Sequence, residues 1–420
     1  MEYTKRQQRS ILFAINIGNT LEWYELALYS YWAPIFSDIF FDQNSKTSNL
    51  INVFLILAVG YLIRPLGGLF FGRLGDRIGR RKALLWSILS VSIPALVMAF
   101  LPVYSSVGIF APIMLCITRI LQSFPAGGEL PGSFCYLYES AHSDNRKYLT
   151  SWGFVGNQVG FILAMVECLI FEKCFSHEDL ITWGWRLSYL LGALIGIYGF
   201  YLRCSLKETP FWKKLEEAHR IVSSPIKDVL LAYKWKIAKG IGYSAITSTS
   251  FAALAVFVPI YFERVLGVGY SDNLTIMIVT LIIMTIPLPF FGRLADKYNY
   301  KAILVSCSFL ILLLLLSLPF VLVGSLLSLI ICACLVILFA CLYAILPFIL
   351  TDLFPTQLRF TGLALTYNLA DSIGSITPVA ALYLLRFSES QILYFWVFVI
   401  CSIISLMSYL TIKNGRPVQN

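Results

Sequence analysis

Apolar runs of about twenty residues recur along the whole chain, and this repetition restricts the fold more than any single motif does. In a bilayer every backbone hydrogen bond must be satisfied within the protein, which leaves helices or closed β-barrels. A helix of about 20 apolar residues crosses a hydrocarbon core of about 30 Å. Twelve such runs fall at 11–36, 50–71, 83–101, 107–138, 150–171, 187–203, 237–262, 273–292, 302–323, 325–350, 360–385 and 391–412. Charged residues make up 13% of the 420, about half the share of a soluble domain. The expected fold class is an all-α polytopic membrane protein with twelve transmembrane helices. Lys5, Arg6 and Arg9 precede a first run too long for a signal-peptide core, with no small-residue cleavage site behind it, so that span is expected to stay in the mature protein.

Charge gives the spans a direction. With the N-terminus placed inside, 25 of the 32 Lys and Arg fall on the inner side and five on the outer, while Arg64 and Arg119 lie within spans. This bias predicts cytoplasmic N- and C-termini and accounts for the net charge of +9 without a nucleic-acid partner. The ten Cys are scattered, mostly inside spans, and form no metal-type pairs. His142, His177 and His219 all fall in loops. Neither a metal nor a cofactor site is expected, and an enzyme is not.

The chain also repeats itself. 71-FGRLGDRIGRRK-82 follows span two, and 291-FGRLADKYNYK-301 follows span eight. Glu139 and Arg146, seven apart after span four, are echoed by Asp352 and Arg359 after span ten. Two parallel halves follow, residues 1–203 and 237–420, joined by a cytoplasmic loop at 204–236. Parallel six-span halves with a site between them at the midplane are the major-facilitator plan.

Several stretches carry a narrower likeness. 18-GNTLEWYELALYSYWAP-34, 64-RPLGGLFFGRLGDRIGRR-81, 119-RILQSFPAGGELPGS-133, 183-WGWRLSYLLG-192 and 354-FPTQLRFTGLALTYNLA-370 resemble the metabolite:proton symporters of the major facilitator superfamily. Carriers of proline and betaine, α-ketoglutarate, shikimate and citrate belong to that group. The resemblance implies a secondary active transporter in a bacterial inner membrane, working by proton symport. Glu25 stands where the family usually has Asp, Asn299 and Tyr300 replace a usual glycine and arginine, and Asp371 takes a position expected to be apolar. The chain stops soon after span twelve, so the coiled-coil tail of some osmosensing carriers, and control through it, is not expected.

Glu22 and Glu25 sit near the middle of the first span, where an ionised side chain costs roughly 2.5–3.5 kcal/mol on insertion scales. Gly18, Glu22, Glu25 and Tyr29 share one helical face, and Asn19 and Trp32 extend it. Either the carboxylates face a wet cavity and carry protons, or they are a structural pair bonded to neighbouring helices. Glu25 ranks first for coupling, followed by Glu22, Glu129 and Asp371. Arg119 and Gln122 lie one turn apart and suit a carboxylate, unless Arg119 pairs with a glutamate of span one. Gly127 and Gly128 permit close helix approach. Glu129 is read either as a second protonatable group or as part of a cytoplasmic-side network. Asn157, Gln158 and Asn368 join Arg119, Gln122, Tyr29 and Trp32 as solute-binding candidates, with interhelical bonding as the plainer alternative for the amides.

The 72–81 motif is mechanical. Asp76 can cap a helix N-terminus or accept bonds from arginine, Gly72 allows contact and Gly79 the turn, while Arg77, Arg80 and Arg81 hold the inner face. The resemblance implies that this cluster latches an outward-open state, with Glu139, Arg146, Asp296, Asp352 and Arg359 completing it. Arg64 adjoins the motif and reads as structural, leaving Arg119 as the solute's cation. One arginine, several acids and the aromatics Trp23, Tyr24, Tyr29 and Trp32 suit a zwitterion, whose ammonium would meet the rings. Proline or a betaine is therefore expected, with an organic anion as the alternative. The partners are a small solute, protons and lipid, and the carrier is expected to work as a monomer.

Overall fold

A computed structural model describes residues 3–42, 46–252, 267, 269–317, 326–387 and 392–413. Twelve principal helices run through them: α1 Lys5–Tyr31, α2 Lys46–Ile78, α3 Arg80–Ala99, α4 Phe110–Ser140, α5 Arg146–Cys174 and α6 Trp185–Cys204. The second set is α7 Lys234–Ala252, α8 in two pieces (Tyr270–Thr285 and Leu288–Lys297), α9 Tyr300–Ser317, α10 Leu326–Asp352, α11 Arg359–Phe387 and α12 Ile392–Leu410. Eight of them, α2 to α6 and α8 to α10, are long and apolar enough to span a bilayer by length and composition alone. The far ends of the expected seventh and ninth spans, 253–262 and 318–323, and residues 325 and 391 lie outside the described residues. The connecting segment, expected as a polar loop, contains two short helices, Pro210–Glu217 and Pro225–Ala232.

Local chemistry sets the helix boundaries. α1 opens on a capping box in which Gln7 N–H donates to the Thr4 hydroxyl at 3.3 Å and Thr4 N–H donates to the Gln7 amide oxygen at 2.8 Å. α2 does not stop where its apolar run ends. It continues through most of the 72–81 motif to Ile78, and Gly79, at φ 108°, makes the turn into α3. A side chain would strain that backbone. This extension decides the depth of Arg64, which sits fourteen residues before the helix end, about 21 Å at 1.5 Å per residue.

Helix pairing obeys the repeat. In the first set α1 packs on α5, α2 on α4, and α3 on α6. In the second, α7 packs on α11, α8 on α10, and α9 on α12, each the counterpart six helices later. The sets meet mainly through α2 against α11 and α5 against α8, again equivalent pairs. Glycines permit both approaches. A Cβ on Gly72 would lie 2.7 Å from Thr361 Cα, and one on its echo Gly292 would lie 2.6 Å from the Ser151 hydroxyl oxygen.

Within the first set, a Cβ on Gly127 of α4 would sit 2.0 Å from the Arg64 carbonyl oxygen. Gly127→Val should therefore force α4 from α2 and lower stability by about 1–3 kcal/mol or more, as overpacking does. Gly269→Ala, whose nearest neighbouring atom is 3.9 Å away, should be silent. Thermal unfolding of the purified proteins in detergent checks both, and equal melting temperatures would contradict the packing.

Candidate functional site

At the end bearing the basic segments, carboxylates close the molecule by capping helices of the opposite set. Asp76 accepts from Phe360 N–H at 3.2 Å, Thr361 N–H at 2.9 Å and the Thr361 hydroxyl at 2.7 Å, at the start of α11. Its echo Asp296 accepts from Lys147 N–H at 3.0 Å and Tyr148 N–H at 2.9 Å, at the start of α5. Helix N-termini carry unpaired N–H groups and a partial positive charge, so a carboxylate there is favourable. A third cap comes from the connecting segment: Glu208 accepts from Arg80 N–H at 3.0 Å and Arg81 N–H at 3.1 Å, at the start of α3.

Arg80, fully buried, ties these caps together. It pairs with Asp76 at 3.0 Å and with Glu139 at 3.2 Å, and donates to the carbonyls of Gly75 at 2.7 Å and Thr356 at 2.6 Å. Glu139 also takes Arg359 of the second set at 3.0 Å and the Thr209 hydroxyl at 2.6 Å. Arg146 and Arg359 lie over the Tyr138 ring, each 4.9 Å from its centroid, and the Tyr138 hydroxyl donates to Asp352 at 2.5 Å. Arg77 is exposed, and the Arg81 guanidinium donates to the Cys204 carbonyl at 2.6 Å. The echo is imperfect where Tyr300 replaces the arginine. There Tyr300 and Phe348 offer their rings to Lys147, at 5.2 and 4.6 Å.

Deeper in the protein a cavity lies between the sets, lined by Trp23, Phe154, Asn157, Gln158, Thr247, Ser248, Phe251, Tyr343, Leu346, Tyr367 and Asp371. Beside it, Arg64 pairs with Glu22 of α1 at 3.3 Å and with Asp371 of α11 at 3.6 Å. Its guanidinium also lies over Tyr61 at 4.8 Å and Trp23 at 5.5 Å. Arg64 is thus a mid-membrane ion-pair member, contrary to its reading as an adjunct of the motif, because α2 continues so far beyond it. A second polar chamber, inside the first set, is lined by Glu22, Glu25, Arg64, Arg119, Gln122 and Ser123 among others. Arg119 donates to the Gln122 amide oxygen at 3.1 Å and lies 4.6 Å over the Tyr29 ring. The Tyr29 hydroxyl donates to the Val53 carbonyl at 3.0 Å.

The other candidates are dispersed. Trp32 lies past the end of α1, which stops at Tyr31, and packs near Phe171. Asn368 donates to the Gly127 and Ala364 carbonyls, each at 2.7 Å, so it bridges α11 to α4 away from the cavity lining. Glu129 forms a buried ion pair with Arg203. Arg203 also donates to the carbonyls of Ala14 at 3.2 Å, Ile15 at 2.9 Å and Leu84 at 3.0 Å. Asn157 and Gln158 reach the cavity, and Gln158 also donates to the Met284 sulfur at 3.2 Å. Sequence reasoning missed Arg203, which reads there as a loop charge, together with Thr209, Glu208 and the cavity aromatics Phe251, Tyr343 and Tyr367.

Twelve helices paired by a six-helix repeat around a central cavity, with an ion network across one mouth, define a multi-pass membrane carrier. The family profile described as "Sugar (and other) transporter" matches residues 11–230. The proline/betaine transporter of Salmonella typhimurium is 29% identical, over 98% of this chain and 85% of that protein. The citrate-proton symporter of Klebsiella pneumoniae is 28% identical, over 90% of this chain and 86% of that one. Among solved structures, a double-tryptophan mutant of XylE superposes with a TM-score of 0.79 at 17% identity, covering 97% of this chain and 95% of that one. The chain belongs to the sugar (and other) transporter family of the major facilitator superfamily, and within it resembles the proline/betaine transporters. It is a secondary transporter.

Because the Asp76 cap joins the two sets, it holds this end shut without touching the cavity. Interaction of a carboxylate with a helix N-terminus reaches about 2 kcal/mol in buried settings, so Asp76→Asn should shift the closed-to-open ratio by up to roughly 30-fold. Turnover should fall while solute affinity stays within about threefold. Paired equilibrium binding and uptake measurements check this, and lost binding with unchanged turnover would contradict it.

Proposed function

We propose that the chain carries a small zwitterionic solute, of the proline or betaine kind, together with protons, by alternating access. Its halves, 1–203 and 237–420, rock about the central cavity while segment 204–236 links them. The observation that carries this reading is the ion cluster Glu22–Arg64–Asp371, which joins the halves beside an aromatic-lined cavity. A charge in that position must be paired at every stage of the cycle, so the movement of solute and proton can be tied to which partners remain. The proline/betaine relative supports the solute class. The Lys and Arg bias and the bacterial relatives support an inner-membrane protein with both termini in the cytoplasm. Among the described residues one chain supplies the cavity lining, which supports a working monomer surrounded by lipid. The reading requires no metal, cofactor or enzymatic step.

An organic anion is the second reading. It is favoured by the citrate-proton symporter among the relatives and by the two cations that line the inner chamber, Arg64 and Arg119. Uptake of labelled proline, glycine betaine, α-ketoglutarate, citrate and shikimate into proteoliposomes under an imposed pH gradient separates the two. Accumulation of a zwitterion should be abolished by a protonophore and unaffected when choline replaces sodium. Sodium-dependent uptake that ignores the protonophore would overturn proton coupling.

Glu25 is the proposed coupling residue. It is buried, and its Oε1 has no hydrogen-bond partner. Glu25→Gln mimics the protonated side chain, so gradient-driven accumulation should vanish while exchange of labelled for unlabelled solute survives. Were Glu25 instead the structural partner of Arg119, the change would leave a buried cation unpaired at a cost of roughly 3–5 kcal/mol. Expression and both activities would then fall together.

A further inference from the structure

The central cavity has a charge imbalance. Asp371 is the one charged residue on its described lining, and its Oδ2, 3.6 Å from Arg64, has no hydrogen-bond partner. Arg64 cannot neutralise it alone, because the same guanidinium also serves Glu22 at 3.3 Å. Two carboxylates therefore share one cation, and the cluster is a positive charge short when all three groups are ionised. All three are at least nine-tenths buried, where an uncompensated charge is expensive.

The rest of the lining suits a cation. Trp23, Phe251, Tyr343 and Tyr367 line the space around Asp371, and aromatic faces attract an ammonium most strongly when it is desolvated. The Asn157 and Gln158 amide oxygens are buried without partners, as is the Trp23 indole N–H. Two of these three groups are acceptors, placed to face a positively charged or N–H-bearing group. Arg64 shows the same preference, lying 5.5 Å over the Trp23 ring.

We propose that Asp371 and the aromatic wall around it form the subsite for the solute's cationic group, selecting cation-bearing solutes over anions of the same shape. The proposal rests on the zwitterion reading above and gives it a residue. The solute's ammonium takes the place that the cluster leaves empty, and Arg64 remains with Glu22. Carboxylate recognition falls to other groups.

The test uses purified full-length protein in nanodiscs and three probes: glycine betaine, its carbon isostere tert-butylacetate, and tetramethylammonium. Wild type should prefer betaine to tert-butylacetate by about tenfold or more, and tetramethylammonium should compete with betaine. In Asp371→Asn the ratio should fall towards one, through weaker betaine binding with tert-butylacetate unchanged or tighter. Asp371→Glu should restore the preference. An unchanged ratio in Asp371→Asn overturns the proposal, and so does failure of tetramethylammonium to compete in wild type, a measurement that needs no variant. Betaine uptake alongside either result leaves the zwitterion reading standing, whereas a wild type that takes up only organic anions overturns both.

Discussion

A charge inside a bilayer is costly without a partner, and much of this structure can be derived from that constraint. Glu22, Arg64 and Asp371 form one cluster, Glu129 and Arg203 a second, and Asp76, Arg80, Glu139 and Arg359 a third. The Glu129–Arg203 pair lies within the first set of helices, where it joins α4 and α6 to the α1 carbonyls. The other two clusters reach across the sets. Breaking such a pair leaves an orphaned charge, so movement between the halves is a change of partners and not a simple separation. On the proposed cycle, the two clusters that reach across the sets are the candidate switch points, and the Glu129–Arg203 pair belongs to the frame of the first half.

The caps add direction to this logic. Asp76 on α11 and Asp296 on α5 are the same interaction made twice, once by each half. They use backbone N–H groups that any helix must leave unpaired. Their reinforcement differs: Arg80 and Glu139 on one side, and on the other Lys147, which pairs with Asp296 at 3.4 Å and lies against the rings of Tyr300 and Phe348. The Arg80 side involves fully buried groups and the Lys147 side is partly open. The degraded second motif therefore marks a softer side of the closure.

How much of this could be read from the sequence depends on the range of each interaction. Span positions and the six-helix repeat were readable because hydropathy and motif recurrence are local. Asp76 and Gly79 were readable because a helix cap and a glycine turn leave local signatures. The depth of Arg64 was not, since nothing in 72–81 announces that α2 continues through it. Glu139 and Arg359 stood in one expected cluster, but their direct pairing, 220 residues apart, was not readable from local pattern. Trp32 stands at the boundary: it is the C-cap of α1, its N–H still donating to the Leu28 carbonyl at 2.8 Å, and it packs near Phe171 and not on the cavity lining. Asn368 was placed on the correct helix, but its amide is spent on two carbonyls, a choice that periodicity cannot show.

On the proposed cycle, the closure at the basic end opens during transport. Spin labels at Lys82 of the first half and Tyr298 of the second, both exposed, report the distance across that end by double electron–electron resonance in proteoliposomes. The account predicts one short, narrow distribution for the resting protein, with a longer component appearing when solute and an inward pH gradient are supplied. A distribution that stays unchanged with solute, with the gradient and with both together would contradict it.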